Sequence, residues 1–151
     1  MWGKKNDKWY RLKEYYHDSR REGLQKTDEE HYDSLEKLAS GREIESVIVD
    51  PSAASFIQCI SRHGNFRVIP AKNKVLDGIR LVSDCLKGEK ILFSPDCKDA
   101  IREFSLYRWD INSVKDSVRK ENDHAMDDIR YFVSTVLEDT ENDFFVLSTE
   151  R

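Results

Sequence analysis

The sequence predicts an α/β fold built from βαβ units, and two patterns predict it. Short apolar-rich runs of strand length, Val47–Val49, residues 66–69 and Ile91–Phe93, are separated by longer amphipathic stretches. Within those stretches apolar residues recur at helical spacing, as Val75, Ile79, Val82 and Leu86 do before Gly88. A layer of parallel strands covered by helices collects ligands at the carboxyl ends of its strands. Asp50, directly after Val47–Val49, occupies such a position.

Residues 8–16, KWYRLKEYY, are rich in aromatics and read as a strand. A polar turn at residues 3–7 precedes it, so Met1 and Trp2 end an earlier strand. Thr27-Asp28-Glu29-Glu30 has the spacing of a capping box, and Tyr32, Leu35 and Leu38 follow at helical intervals up to Gly41. Phe56, Ile57 and Ile60 make a helix between the strands at 47–49 and 66–69. Ile91–Phe93 leads into a helix that starts at Ser94-Pro95-Asp96, with Ile101 and Phe104 beyond. The apolar-poor stretch after Trp109, to Asn122, reads as a hairpin or mobile loop. A last helix from Asp123 buries Ala125, Ile129, Phe132, Val133 and Val136, and the acidic residues at 138–143 end it. The 151 residues are expected to form one domain, with an extended or disordered tail from about residue 139.

Charged residues make up 36% of the chain, against about 25% in an average soluble protein, so the surface is expected to be heavily charged. The longest apolar run, at 144–147, falls far short of the roughly 20 residues of a membrane helix, and no apolar stretch follows Met1 as a secretory signal requires. A cytoplasmic protein is expected. Cys59, Cys85 and Cys97 form no CxxC pair and fit a reducing compartment as buried packing residues. The net charge of -4 hides a segregation: residues 1–26 sum to +4, 27–50 to -6, 51–122 to +4 and 123–151 to -6. Acid concentrated beside basic tracts can hold cations next to phosphates, or it can form solvated faces with no ligand.

Two places carry candidate chemistry. Asp50 can cap a following helix, with Pro51 at the first helical position, or it can hold a metal at the strand end. In Asn122-Asp123-His124-Ala125-Met126-Asp127-Asp128, His124 and Asp127 are three apart and share a helical face. Such acids answer the helix dipole, or, with the imidazole, they hold a hard divalent cation, magnesium or manganese.

Four segments in order and spacing, VIVDPSAASFI, VIPAKNKVLDGIR, EFSLYRWD and ENDHAMDDIRYFV, resemble the nuclease domain of phage terminase large subunits of the PBSX-like type. KWYRLKEYYHDSRREGLQKTDEEHY extends the resemblance over nearly the whole chain. It implies an RNase H-like mixed sheet flanked by helices, lacking the family's first strand and most of its second. It also implies a metal-dependent endonuclease that cuts concatemeric double-stranded DNA during packaging, by two-metal hydrolysis with Mg2+ or Mn2+. Asp50 matches the family's strand-ending aspartate, and His124 and Asp127 match its DHxxDAxRY helix, which Arg130 and Tyr131 complete. All three would be catalytic metal ligands. Where the family has alanine this chain has Asp128, which leaves Asp127 and Asp128 both open as the ligand.

The family's GxDxG strand, with its first metal aspartate, does not occur in these 151 residues, and neither does a GxxxxGK[ST] phosphate loop. Lys72 and Lys74 in PAKNK, and Arg119 and Lys120 before the His124 helix, are candidates for DNA phosphate contacts or plain exposed loop cations. The implied partners are DNA, the terminase ATPase domain and small subunit, and the portal. Three functions follow: an incomplete nuclease domain, a non-catalytic terminase remnant serving as an interaction module of the packaging machine, or an unrelated α/β cation-binding protein. Asp50 and Asp127 are expected to converge to within about 8 Å, a span two bridging cations fill. Without the absent strands, residues 8–16 are expected to pair with Val47–Val49, or a second copy is expected to cover that edge in a homodimer.

Overall fold

The computed structural model describes residues 1–110, 117, 118, 121 and 123–138. In chain order the elements are β1 (Trp2–Lys5), β2 (Lys8–Arg11), α1 (Ser19–Glu22), α2 (Asp28–Ala39), β3 (Val47–Val49), α3 (Ala54–His63), β4 (Val68–Pro70), α4 (Val75–Lys87), β5 (Ile91–Phe93), α5 (Lys98–Leu106) and α6 (His124–Phe132). A π-helical turn, Val133–Leu137, continues α6. The expected α/β alternation is present, and the mixed sheet is flanked by helices. No helix among the described residues is long and apolar enough to cross a membrane.

The strands form two separate sheets. One has the order β1-β2-β5, with β1 antiparallel and β5 parallel to β2, and the other pairs β3 with β4 in parallel. The expected turn at 3–7 is shorter than its polar composition suggests. Trp2–Lys5 pairs with Lys8–Arg11, and Asn6 and Asp7 alone turn the chain, at φ of 50° and 61°. Positive φ at both positions is the geometry of a tight two-residue hairpin, which Asn and Asp tolerate.

The expected pairing of residues 8–16 with Val47–Val49 is not formed. Only Lys8–Arg11 is strand, and both of its edges are taken, by β1 and by β5. Among the described residues β3 has one strand partner, β4.

Two cores explain why a split sheet holds together. Val47 and Val49 of β3 face a cluster of Tyr32, Cys59 and Ile60 from α2 and α3. Ile48, pointing to the other face as strand alternation requires, packs on a cluster around Ile129, Phe132 and Val133. The same α6 cluster receives the first sheet: the Trp2 ring stacks on Phe132 at 4.2 Å, and Trp9 meets Phe132 edge-on at 5.1 Å. One helix thus underlies both sheets.

Helix starts follow two rules. At α2 the capping box is complete: Glu30 N–H donates to Thr27 Oγ1 at 3.3 Å and Thr27 N–H to Glu30 Oε2 at 2.8 Å. At α5 the expected start at Ser94-Pro95-Asp96 is displaced to Lys98, because the cap comes from elsewhere. Glu14 accepts Asp99 N–H at 2.7 Å and Ala100 N–H at 3.1 Å. The three cysteines are free and buried, as expected. For the stretch 109–122, a bridge between Trp109 and Val118 fits the hairpin reading. The tail from residue 139 lies outside the described residues.

Candidate metal centre

Asp50 closes β3, and its side chain does two things. Oδ1 accepts Ser52 N–H at 2.8 Å and the main-chain carbonyl accepts Ala53 N–H at 3.0 Å, so the residue shapes the turn after the strand. It does not cap α3, which starts at Ala54 with no side-chain cap. Oδ2 accepts the Tyr131 hydroxyl at 2.5 Å. That bond, with Ser52 N–H behind it, holds the Asp50 carboxyl below the usual carboxylate range. Burial, with the same bond as the second cause, pushes the Tyr131 phenol up to about 12.

Tyr131 is delivered by α6, whose first turn is fixed by a residue from another helix. Glu103 of α5 is fully buried. It accepts Ala125 N–H at 2.7 Å, Met126 N–H at 3.3 Å and the Tyr16 hydroxyl at 2.6 Å. Asp123, at the cap position itself, makes no side-chain cap bond. Two orphan N–H groups and a phenol therefore satisfy the Glu103 carboxylate.

One turn on, Asp127 and Asp128 go to different partners. Arg130 Nη2 donates to Asp127 at 2.8 Å, while its Nη1 donates to Asn73 Oδ1 at 3.2 Å. The Arg130 guanidinium lies 4.7 Å from the Tyr131 ring centroid and is 2% exposed as a residue. Its passage needs Gly78 of α4, where a Cβ would stand 2.6 Å from Arg130 Cγ. Asp128 pairs with Arg11 of β2 instead. The charge of Asp127 is among the causes that raise the phenol of Tyr131, the residue bonded to Asp50.

The structure brings Asp50 and Asp127 to one pair of side chains. Tyr131 bonds Asp50 and feels Asp127, and Arg130 bonds Asp127 and lowers the Asp50 carboxyl. His124 lies beside Tyr16, ring centroids 6.1 Å apart, and lines a cavity of about 490 Å³ with Asp128, Arg11 and Ala53. Among the described residues the ligand atoms of Asp50, His124 and Asp127 do not close to within 4.8 Å of one another. The donors are hard oxygens and one imidazole, which suit magnesium or manganese. Each carboxylate oxygen has two lone pairs, so Asp50 and Asp127 keep acceptor capacity beyond the bonds described.

Lys72 and Lys74 flank Asn73 and line a second depression of about 630 Å³ with Arg80 and Glu138. Lys72 Nζ is 3.2 Å from Glu138, and its backbone N–H donates to Thr135 at 3.1 Å. Through Asn73 and Arg130 this loop is connected to Asp127. Arg119 and Lys120 lie outside the described residues. Sequence reasoning did not find Glu103, Asn73 or the Arg11–Asp128 pair. Glu103 sits in EFSLYRWD as one acid among many, and no local spacing marks it as buried.

No family model matches the chain. The chain is similar to the large terminase of a thermophilic bacteriophage: the structure of that protein in complex with ADP is 47% identical, with a TM-score of 0.86, over 90% of this chain and 35% of that chain. A further structure of the same terminase is 46% identical, with a TM-score of 0.85, over 90% and 35%. The terminase large subunit of Escherichia phage T5 is 25% identical over 136 residues, 86% of this chain and 30% of that protein. The chain therefore spans about a third of the length of the relatives it matches.

Proposed function

We propose, from the homology of this chain to about a third of phage terminase large subunits, that it is the RNase H-like endonuclease portion of a DNA-packaging terminase. The observation that supports this reading best is that Asp50, at the end of β3, bonds Tyr131 while Asp127 bonds the neighbouring Arg130, whose guanidinium lies 4.7 Å from the Tyr131 ring. Asp50, Asp127 and His124 would hold Mg2+ or Mn2+, which supplies an activated water and a counter-charge for the leaving oxygen of a phosphodiester. Tyr131 orients the Asp50 carboxylate and keeps it ionised. Arg130 fixes the Asp127 rotamer and presents Asn73, and with it Lys72 and Lys74, toward the DNA backbone. Arg119 and Lys120 are proposed to add phosphate contacts. Double-stranded DNA, the ATPase domain, the small subunit and the portal are the proposed partners, in the host cytoplasm.

A second reading, a terminase interaction module without catalysis, is favoured by one observation. Asp50, Asp127 and Asp128 are each engaged by a donor of this chain, namely Tyr131, Arg130 and Arg11.

Plasmid nicking with Mn2+ separates the readings. The chain alone is expected to cut little or not at all. Grafted in place of the matching third of the thermophilic phage terminase, it is expected to cut, and to lose that activity with Asp50→Asn or Asp127→Asn. A grafted protein that cuts equally well with both aspartates replaced would overturn the nuclease assignment. One that never cuts, although folded, would leave the interaction module.

A further inference from the structure

Away from the acidic residues of β3 and α6, the contact between α2 and α3 gathers three different ligand types. Glu29, Cys59 and His63 each offer one atom, and the three atoms lie within 4.8 Å of one another. Cys59 and His63 are four apart on α3, one turn along a single face, and Glu29 reaches them from the first turn of α2. Glu29 Oε2 is 2.7 Å from His63 Nε2. We propose that Glu29, Cys59 and His63 bind a zinc ion that clamps α2 to α3.

The donor chemistry selects the metal. A thiolate, an imidazole and a carboxylate are zinc ligands, whereas magnesium and calcium take oxygen alone. Three protein ligands leave a fourth tetrahedral position for water. The sulfur comes from the interior, since Cys59 is fully buried, while Glu29 and His63 open to solvent and give the ion its way in.

The imidazole is already held in place. The His63 ring stacks on Tyr32 at 3.8 Å with 8° between planes. The Tyr32 hydroxyl in turn donates to Glu36 at 3.0 Å and accepts from Asn65 at 3.0 Å. Fixed ring orientation of this kind is what metal-binding histidines take from their surroundings. Arg62 is 3.1 Å from Glu29 Oε1, and the ion would displace this guanidinium, which is itself largely exposed.

Cobalt is the probe. The reduced, chelator-treated full chain is titrated with Co2+ and read for the thiolate-to-cobalt charge-transfer band, then back-titrated with Zn2+. One equivalent of Co2+ should produce the band, and zinc should abolish it. Because Cys59→Ser alters the core and can unfold the chain, the exposed ligands supply the decisive variants. His63→Gln and Glu29→Gln should each weaken cobalt binding by at least about tenfold while leaving the circular dichroism spectrum unchanged. A folded chain that gives no charge-transfer band overturns the proposal. So does a band that both variants leave unchanged, which would place the metal on Cys85 or Cys97.

Discussion

The Tyr131 hydroxyl donates to Asp50 at 2.5 Å across 81 positions of sequence, joining the end of β3 to the last turn of α6. The bond lowers the Asp50 carboxyl, and burial together with the bond raises the Tyr131 phenol, so the contribution of this pair to stability has two pH limits. The depressed Asp50 stabilises the fold above its ordinary value of 3.8, and this is lost as pH falls through the folded value. The raised Tyr131 stabilises below its ordinary value of 10.0, and this is lost as pH rises toward about 12. Tyr131→Phe should therefore be less stable than the parent chain by a gap that is flat near neutrality and narrows at both extremes. Urea unfolding of the two chains across pH measures it, and an equal gap at about pH 3 and pH 7 would contradict the assignment.

Glu103 should be the most sensitive polar residue of the fold. Glu103→Ala removes a buried acceptor shared by Ala125 N–H, Met126 N–H and Tyr16. An unfolding midpoint lowered at constant denaturant slope, by about 1–3 kcal/mol, is expected from the unpaired buried donors. Amide exchange should speed up first at Ala125 and Met126.

Gly78→Ala should destabilise, against helix propensity. Alanine in mid-helix is ordinarily favoured over glycine by about 1 kcal/mol. Here the added methyl meets Arg130 Cγ at 2.6 Å and Ser134 Oγ at 2.9 Å, and Arg130 is held by Asp127 and Asn73. Overpacking of this kind costs about 1–3 kcal/mol, so the thermal midpoint should fall. A rise would mean that Arg130 is free to move.

Among the described residues β3 pairs with β4 alone, which sets the expectation for self-association. An unpaired strand edge recruits another strand, and pairing between two copies through Val47–Val49 should appear as a dimer in sedimentation at high concentration. Val47 N–H already donates to Arg67 O and Val49 O accepts from Ala71 N–H on the β4 side, so by strand alternation the outward backbone of β3 is that of Ile48, and Ile48→Pro, which blocks that ladder position, is the probe. A monomer at every concentration excludes edge pairing between copies.

How much of this was legible in the sequence depended on distance along the chain. The α2 capping box could be read because Thr27 and Glu30 are three apart. The starts of α5 and α6 could not, since their caps are Glu14 and Glu103, 85 and 22 residues from the first amide each one satisfies. The hairpin turn was placed too broadly because Gly3, Lys4 and Lys5 look like loop residues while their backbone pairs with β2. At the candidate metal centre, Asp50, His124 and Asp127 were singled out by motif, and the bonds that Asp50 and Asp127 make to Tyr131 and Arg130 were not foreseen. The different partners of Asp127 and Asp128 were not legible, because adjacent carboxylates diverge only when Arg130 and Arg11 are in place.

The position of α6 beneath both sheets bears on the order in which the molecule can assemble as it is synthesised. Trp2 and Trp9 close on Phe132, Ile48 closes on the same cluster, and Asp50 waits for Tyr131. The β1–β2 hairpin can pair with β5 and bring Trp2 against Phe93 earlier, but its tryptophans lack Phe132 until α6, more than a hundred residues after β2, has emerged. Contacts this remote make folding slow and late, and leave the early strands exposed to other partners in the interval.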